Sequence, residues 1–249
     1  MRSLAIQAVG TPAATAVPLV CFPHAGGTPA AFRGWDTLLP GFRVHAVNYP
    51  GRGRRMREDH PDDIVGLGRE LGADIHALDL REAVLFGHSM GCIVAFEAAL
   101  HLERLGTPCR RLIVSGSRNG PLPVPDAHDE TESRETTLAH LAEMGGMPDA
   151  FFDDREFQDM VLPYILSDGA MFRRYRHDPA SPLASPITSI VGASDGHADV
   201  RPWAALTRSD FDAHTVPGGH FYLEDAPPIG ILGDLIAGAD VPDDRRIAS

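Results

Sequence analysis

The chain has 249 residues, a formal net charge of −12 and 22 cationic side chains, all of them arginine. Its length allows a substantial core in one large α/β domain or two small ones. The acidic balance argues against a general nucleic-acid binder, and no apolar run approaches the ~20 residues needed to span a bilayer.

In chain order, the opening "MRSLAIQAVGTPAATAVPLVCF" carries one early basic residue and no long apolar core, so it reads as uncleaved and the chain as cytoplasmic. "VPLVCF" (17–22) is a short apolar run ending at a turn-former and predicts a buried strand. "FPHAGG" (22–27) follows, and its Gly pair before a helix lets backbone approach a substrate closely. "AAFRGWDTLL" (30–39) predicts a helix, "FRVHAVN" (42–48) a strand and "DDIVGLGRELGADIHAL" (62–78) a second helix. A third strand, "EAVLFG" (82–87), leads through Gly-His-Ser-Met-Gly into "GCIVAFEAALHLERLG" (91–106), a helix closed by Gly106. "RLIVSG" (111–116) and "ITSIVG" (187–192) are further strands. Between them the rhythm breaks, and helical patterns such as "ETTLAHLAEMGG" and "FQDMVLPYILSDGAMFRRYR" follow one another. That break predicts a helical insertion over about residues 120–182 within a single domain spanning 1–249. The strand-like "FDAHTV" precedes "VPGGHFYL", and the last residues, "DVPDDRRIAS", read as a frayed tail. Strands alternating with helices imply an α/β fold with a mostly parallel sheet. Cys21, Cys92 and Cys109 are odd in number and sit in or beside apolar runs, which predicts reduced, packed thiols. No His or Cys cluster has metal-ligand spacing.

The chemistry concentrates at residues 87–91, G-x-S-x-G between a predicted strand and a predicted helix, the context of a nucleophile elbow. So tight a turn demands small neighbours, hence Gly87 and Gly91, and it sets Ser89 at a helix N-terminus, where developing negative charge is favoured. A serine hydroxyl needs a base. The chain order of this fold is Ser, then Asp or Glu, then His. His220 stands after a Gly-Gly turn beyond a strand, and Asp195 lies just past "ITSIVGA". Asp199, four residues on, is the competing acid, and reads better as a cap on the next helix. His24 is the tempting extra group; its plainer reading is packing or loop hydrogen bonding.

"FPHAGG", "YPGRGRR" (49–55), "GHSMGC" and "GGHFYL" (219–223 being its "GHFYL"), in that order and spacing, resemble the type II thioesterases of polyketide and nonribosomal peptide pathways from about Val17 to Leu235. The resemblance implies an α/β-hydrolase fold with a mobile helical lid, and hydrolysis of stalled or wrongly loaded thioesters on the phosphopantetheine arm of acyl or peptidyl carrier proteins. It carries Ser89 over as nucleophile, Asp195 as orienting acid and His220 as base. It also implies an oxyanion hole formed by the backbone N–H groups of Ala25 and Met90. The enzyme itself then needs no metal or cofactor and partners neither nucleic acid nor membrane; a monomer is expected. A chain-releasing thioesterase or a stand-alone serine esterase would use the same triad, whereas a non-catalytic binding module would not need it. Because carrier proteins are acidic, docking calls for a local positive patch. Arg52, Arg54, Arg55 and Arg57, with Arg173, Arg174 and Arg176, are the candidates. The alternative is that Arg52 and its neighbours brace their loop on Glu58 or Asp59.

Overall fold

In a computed structural model, which describes residues 3–10, 16–117, 133–177, 181–196 and 201–237, the strands are β1 (Ile6–Ala8), β2 (Val17–Phe22), β3 (Phe42–Val47), β4 (Val84–His88), β5 (Arg111–Ser115), β6 (Ile187–Gly192) and β7 (Phe211–Val216). They form one sheet in the order β1-β3-β2-β4-β5-β6-β7. Every pairing from β3 across to β7 is parallel, and β1 alone runs antiparallel, against β3. The helices are α1 (Trp35–Leu38), α2 (Ile64–Ala77), α3 (Met90–Arg104), α4 (Arg134–Met144), α5 (Asp149–Asp153), α6 (Arg155–Arg174), α7 (Arg201–Ala204), α8 (Tyr222–Asp225) and α9 (Ile229–Ala237).

Apolar runs become central strands because both faces of the sheet are covered. Alternate residues of β2 separate cleanly: Val20 and Phe22 pack with Ile64 and Leu71 of α2 and Phe96 of α3. Leu19 and Cys21 pack on the other side with Phe32, Trp35, Tyr222 and Leu232. Helix α2 starts where Asp63 caps it, its carboxylate accepting the Gly66 N–H at 2.7 Å. It buries Ile64, Leu67, Leu71 and Ile75, a stripe at helical spacing.

Helices α4, α5 and α6 intervene between β5 and β6, in the interval where an insertion is expected. They have a small core of their own, made of Leu141, Phe151, Val161, Leu162 and Ile165. Expectations for residues 120–132 and 178–180, for Asp199 and for the 240–249 tail lie outside the described residues.

Two local readings need correction. The helix expected over 30–39 is instead a 3₁₀ turn, Pro29–Phe32, followed by the single-turn α1. Gly34 separates them with φ at 82°, outside helical geometry. Strand β1 and helices α8 and α9 are additions to the expected elements. β1 is three residues long and exists through its pairing of Ile6 with Val47, Gln7 with Ala46 and Ala8 with His45.

Candidate active site

Strand β4 ends at His88, helix α3 begins at Met90, and Ser89 turns the corner with φ 54° and ψ −122°. Positive φ at a non-glycine residue costs roughly 1–3 kcal/mol and persists only where surroundings over-determine it. Here they do. The Ser89 N–H donates to the Ser115 carbonyl at 2.9 Å. A Cβ at position 87 would fall 2.4 Å from the Gly91 carbonyl oxygen, and one at 91 would fall 2.2 Å from that of Phe22, so both flanking positions require glycine. Met90, first in α3, has an amide N–H with no intrahelical acceptor, at the positive end of the helix dipole.

Strand order decides what meets Ser89. β2 lies beside β4, with Phe22 opposite Gly87, so the loop carrying Ala25 emerges next to the elbow at the point where the chain reverses its direction across the sheet. β6 lies beside β7, so the loops bearing Asp195 and His220 are neighbours. The Ala193 N–H donates to the Val216 carbonyl at 2.7 Å and the Ser194 N–H to that of Gly218 at 2.9 Å, tying the two loops together. His220 Nδ1 then sits 2.8 Å from Asp195 Oδ2, with both side chains buried. An ionised carboxylate only accepts, so Nδ1 is the donor in this contact, and in the neutral ring the lone pair is then on Nε2. Asp195, one of the two acids weighed, lies against His220; Asp199 is outside the described residues.

One residue that sequence reasoning missed is Ser115, at the end of β5. Its carbonyl holds the Ser89 N–H, and its Oγ lies 2.9 Å from His88 Nδ1 and 2.7 Å from the Tyr222 hydroxyl. It thereby links the elbow to the segment that carries His220. A serine ending a predicted strand gives no local hint of such a role. Burial, reinforced by His220 and His24, holds the His88 imidazole well below its ordinary pKa.

His24 lines the same cavity as Ser89 and His220. Its ring packs edge-on against Phe221, with centroids 4.9 Å apart. Burial first, then the charges of His220 and Arg52, lower its pKa from 6.5 to about 4. The folded state therefore binds fewer protons than the unfolded chain between those values. Stability from this group is complete above pH 6.5 and is lost as pH falls towards 4. Urea unfolding is expected to show stability falling as pH drops across that window, with His24 contributing to the slope. His24→Asn should flatten the slope; an unchanged slope would mean that the ring is not desolvated.

Ser89, His220 and Ala25 line one cavity of about 580 Å³. Its far wall is the insertion, through Leu141, Met144, Val161, Tyr164 and Ile165. The chamber is therefore largely apolar where α4 and α6 close it, with Ser89 and His220 as polar groups in its wall.

The arginines after Tyr49 divide between the two readings, and the bracing of the loop on Glu58 is made by Arg55. Arg52 is buried and pairs with Asp168 of α6, not with Glu58 or Asp59. Arg55 is buried too, paired with Glu58 and Glu70. Neither is free to meet an acidic partner, while Arg54 and Arg57 are exposed. Arg174 donates to the Asp62 carbonyl at 3.0 Å. Cys21, Cys92 and Cys109 are free and buried. Burial pushes the Cys92 and Cys109 thiols up to about 12 and raises Cys21 well above its ordinary value, so thiolate chemistry is suppressed.

Among the described residues no helix is long and apolar enough to cross a membrane. Residues 17–235 match the thioesterase domain family. The chain is 34% identical over 214 residues to the probable cadicidin biosynthesis thioesterase of Streptomyces griseus, covering 84% of this chain but only 59% of that protein. Two solved structures are similar throughout. The RedJ thioesterase from the prodiginine pathway of Streptomyces coelicolor has a TM-score of 0.80 and 37% identity, over 91% of this chain and 89% of that one. The type II thioesterase BorB from the borrelidin cluster has a TM-score of 0.82 and 32% identity, over 94% and 98%. With the family match running from the start of β2 into α9, and a serine elbow and an Asp–His pair facing one chamber, the chain belongs to the thioesterase family and has the α/β-hydrolase fold.

Proposed function

We propose that this chain is a type II, editing thioesterase that hydrolyses stalled or aberrant acyl groups from the phosphopantetheine arm of acyl or peptidyl carrier proteins in polyketide or nonribosomal peptide biosynthesis. The observation that carries the reading is the shared chamber, in which Ser89 and the Asp195-bound His220 face an apolar space roofed by the insertion. The named neighbours support the pathway context.

In this reading Ser89 Oγ attacks the thioester carbonyl while His220 Nε2 takes its proton. The oxyanion is stabilised by the Ala25 and Met90 amides; removing one such donor typically costs roughly 3–4 kcal/mol of transition-state stabilisation. Collapse expels the pantetheine thiolate, which takes the proton from His220. Water, deprotonated by the same nitrogen, then attacks the acyl-serine, and the acid leaves as Ser89 regains its proton. Asp195 keeps His220 in the productive tautomer and stabilises the imidazolium. These steps use only side chains, backbone amides and water; the phosphopantetheine belongs to the partner. The helical insertion serves as a lid over the acyl group. A monomer acting in the cytoplasm fits this role, and three buried, free thiols fit a reducing compartment.

Intact-protein mass spectrometry of carrier protein loaded with short acyl groups tests the proposal. Rapid conversion to the free thiol is expected, with slower release of a full-length chain. Preference for the full-length chain would indicate a chain-releasing enzyme, and turnover of free esters alone a stand-alone esterase. No turnover and no fluorophosphonate label on Ser89 would leave a binding module.

A further inference from the structure

The buried ion pair between Arg52 and Asp168 joins the loop after β3 to α6 across 116 positions. It is bidentate, with both contacts at 2.6 Å and both side chains 1% exposed. Its surroundings are more telling than its strength. Asp168 Oδ2 also accepts the Gly26 N–H at 2.8 Å, and Arg52 donates to the Gly27 carbonyl at 3.3 Å. Gly26 adjoins Ala25 in a turn closed by the Gly27 N–H donating to the His24 carbonyl at 2.9 Å.

Ala25 is fixed only while that turn stays closed, and Asp168 and Arg52 hold its last two residues through the Gly26 N–H and the Gly27 carbonyl. A trans amide holds its N–H opposite its C=O, so the peptide joining His24 to Ala25, with its carbonyl bound to Gly27, aims the Ala25 N–H the other way. The next peptide, Ala25 to Gly26, could flip independently, since the central peptide of a tight turn distinguishes type I from type II. Gly26 has φ 78°, the type II value for the third turn residue, and the Asp168 carboxylate holds its N–H in that orientation. Ile165, one turn earlier on α6, closes over Gly26 so tightly that an added Cβ would lie 2.4 Å from its Cγ1. The glycine therefore also admits a helix of the insertion, while Gly26 and Gly27 still line the chamber. Arg52 is itself held between rings, 5.4 Å from the centroid of Tyr49 and 4.9 Å from that of Tyr164.

We propose that Asp168 and Arg52 are positioning residues for the Ala25 oxyanion donor, so that a competent oxyanion hole exists only while α6 is seated on the loop after β2. The insertion then does more than wall the chamber: its position is coupled to the catalytic power of the site. This rests on the reading of Ala25 as an oxyanion donor.

The test uses 4-nitrophenyl butyrate, which needs no carrier protein, together with a butyl trifluoromethyl ketone, whose carbonyl carbon bonds to Ser89 Oγ to give a hemiketal oxyanion. Asp168→Ala should lower kcat by about 10- to 100-fold and weaken the ketone by a similar factor, with KM within about threefold of wild type. Asp168→Asn, which keeps an acceptor for the Gly26 N–H, should recover part of both losses. Because Asp168→Ala strands a buried guanidinium, Arg52→Met/Asp168→Leu removes both charges together and should show the same paired loss in a folded protein. Unchanged kcat and ketone affinity in any folded variant lacking the acceptor, or a loss confined to KM, would overturn the proposal. Wild-type protein that cleaves the ester but not acyl-carrier protein would count against the editing role and leave this test intact.

Discussion

Ser89→Ala is expected to lower hydrolysis of acyl-pantetheine thioesters by on the order of 10⁵- to 10⁶-fold while leaving the chain folded. The loss is chemical, because no other hydroxyl is held at the elbow with a helix N-terminus behind it. The fold should survive because serine and alanine share the Cβ that the elbow already accommodates at φ 54°. The close contacts that exclude larger groups lie at Gly87 and Gly91 instead. Single-turnover assays on acyl-carrier protein, paired with thermal melts, measure both parts. Residual turnover above roughly a thousandth of wild type would remove Ser89 from the nucleophile's role.

Asp195→Asn should cost about 10⁴-fold in kcat with little change in melting temperature. The amide is nearly the same size, and at 2.8 Å from His220 Nδ1 it can present its NH₂ as donor. Nδ1 then becomes the acceptor and the ring proton moves to Nε2, the nitrogen that must be empty to take the Ser89 proton. A uniformly buried environment makes this tautomer hard to escape, since water cannot compete for either group. Asp199→Asn is expected to leave kcat within about threefold. A larger loss there than at Asp195 would reverse the assignment of the acid.

The elbow at Ser89 was legible in the sequence because its geometry is local. An elbow is defined by five consecutive residues whose sizes and flanking periodicities are all visible in "AVLFGHSMGCIVAF". The central strands were legible for a similar reason: a strand buried on both faces must be apolar at every position, as in "VLF" of β4 and "LIV" of β5. Helices α2 and α3 declared themselves through periodicity and their end signals. Resemblance across four separated motifs supplied the family.

What tertiary structure alone decided was which distant groups share space. Asp195 could be set above Asp199 only weakly by spacing; the adjacency of β6 and β7, with their loops tied by backbone hydrogen bonds, brings it to His220 across 25 positions. β1 has no independent signal because three residues acquire strand geometry from β3, not from their own side chains. Gly34 interrupted a helix that the flanking alanines and leucines favoured. Arginines that looked like a surface patch after Tyr49 divide by depth: Arg52 and Arg55 turn inward to carboxylates, and Arg54 and Arg57 stay in solvent. Ser115 became a junction because β5 happens to lie between the elbow strand and the strands of the Asp–His pair. Backbone conformation is set by a few neighbouring residues, and so it can be read along the chain. A pair such as Arg52 and Asp168 is set by how whole elements pack, and its partners carry no mark of one another until the insertion is folded onto the sheet.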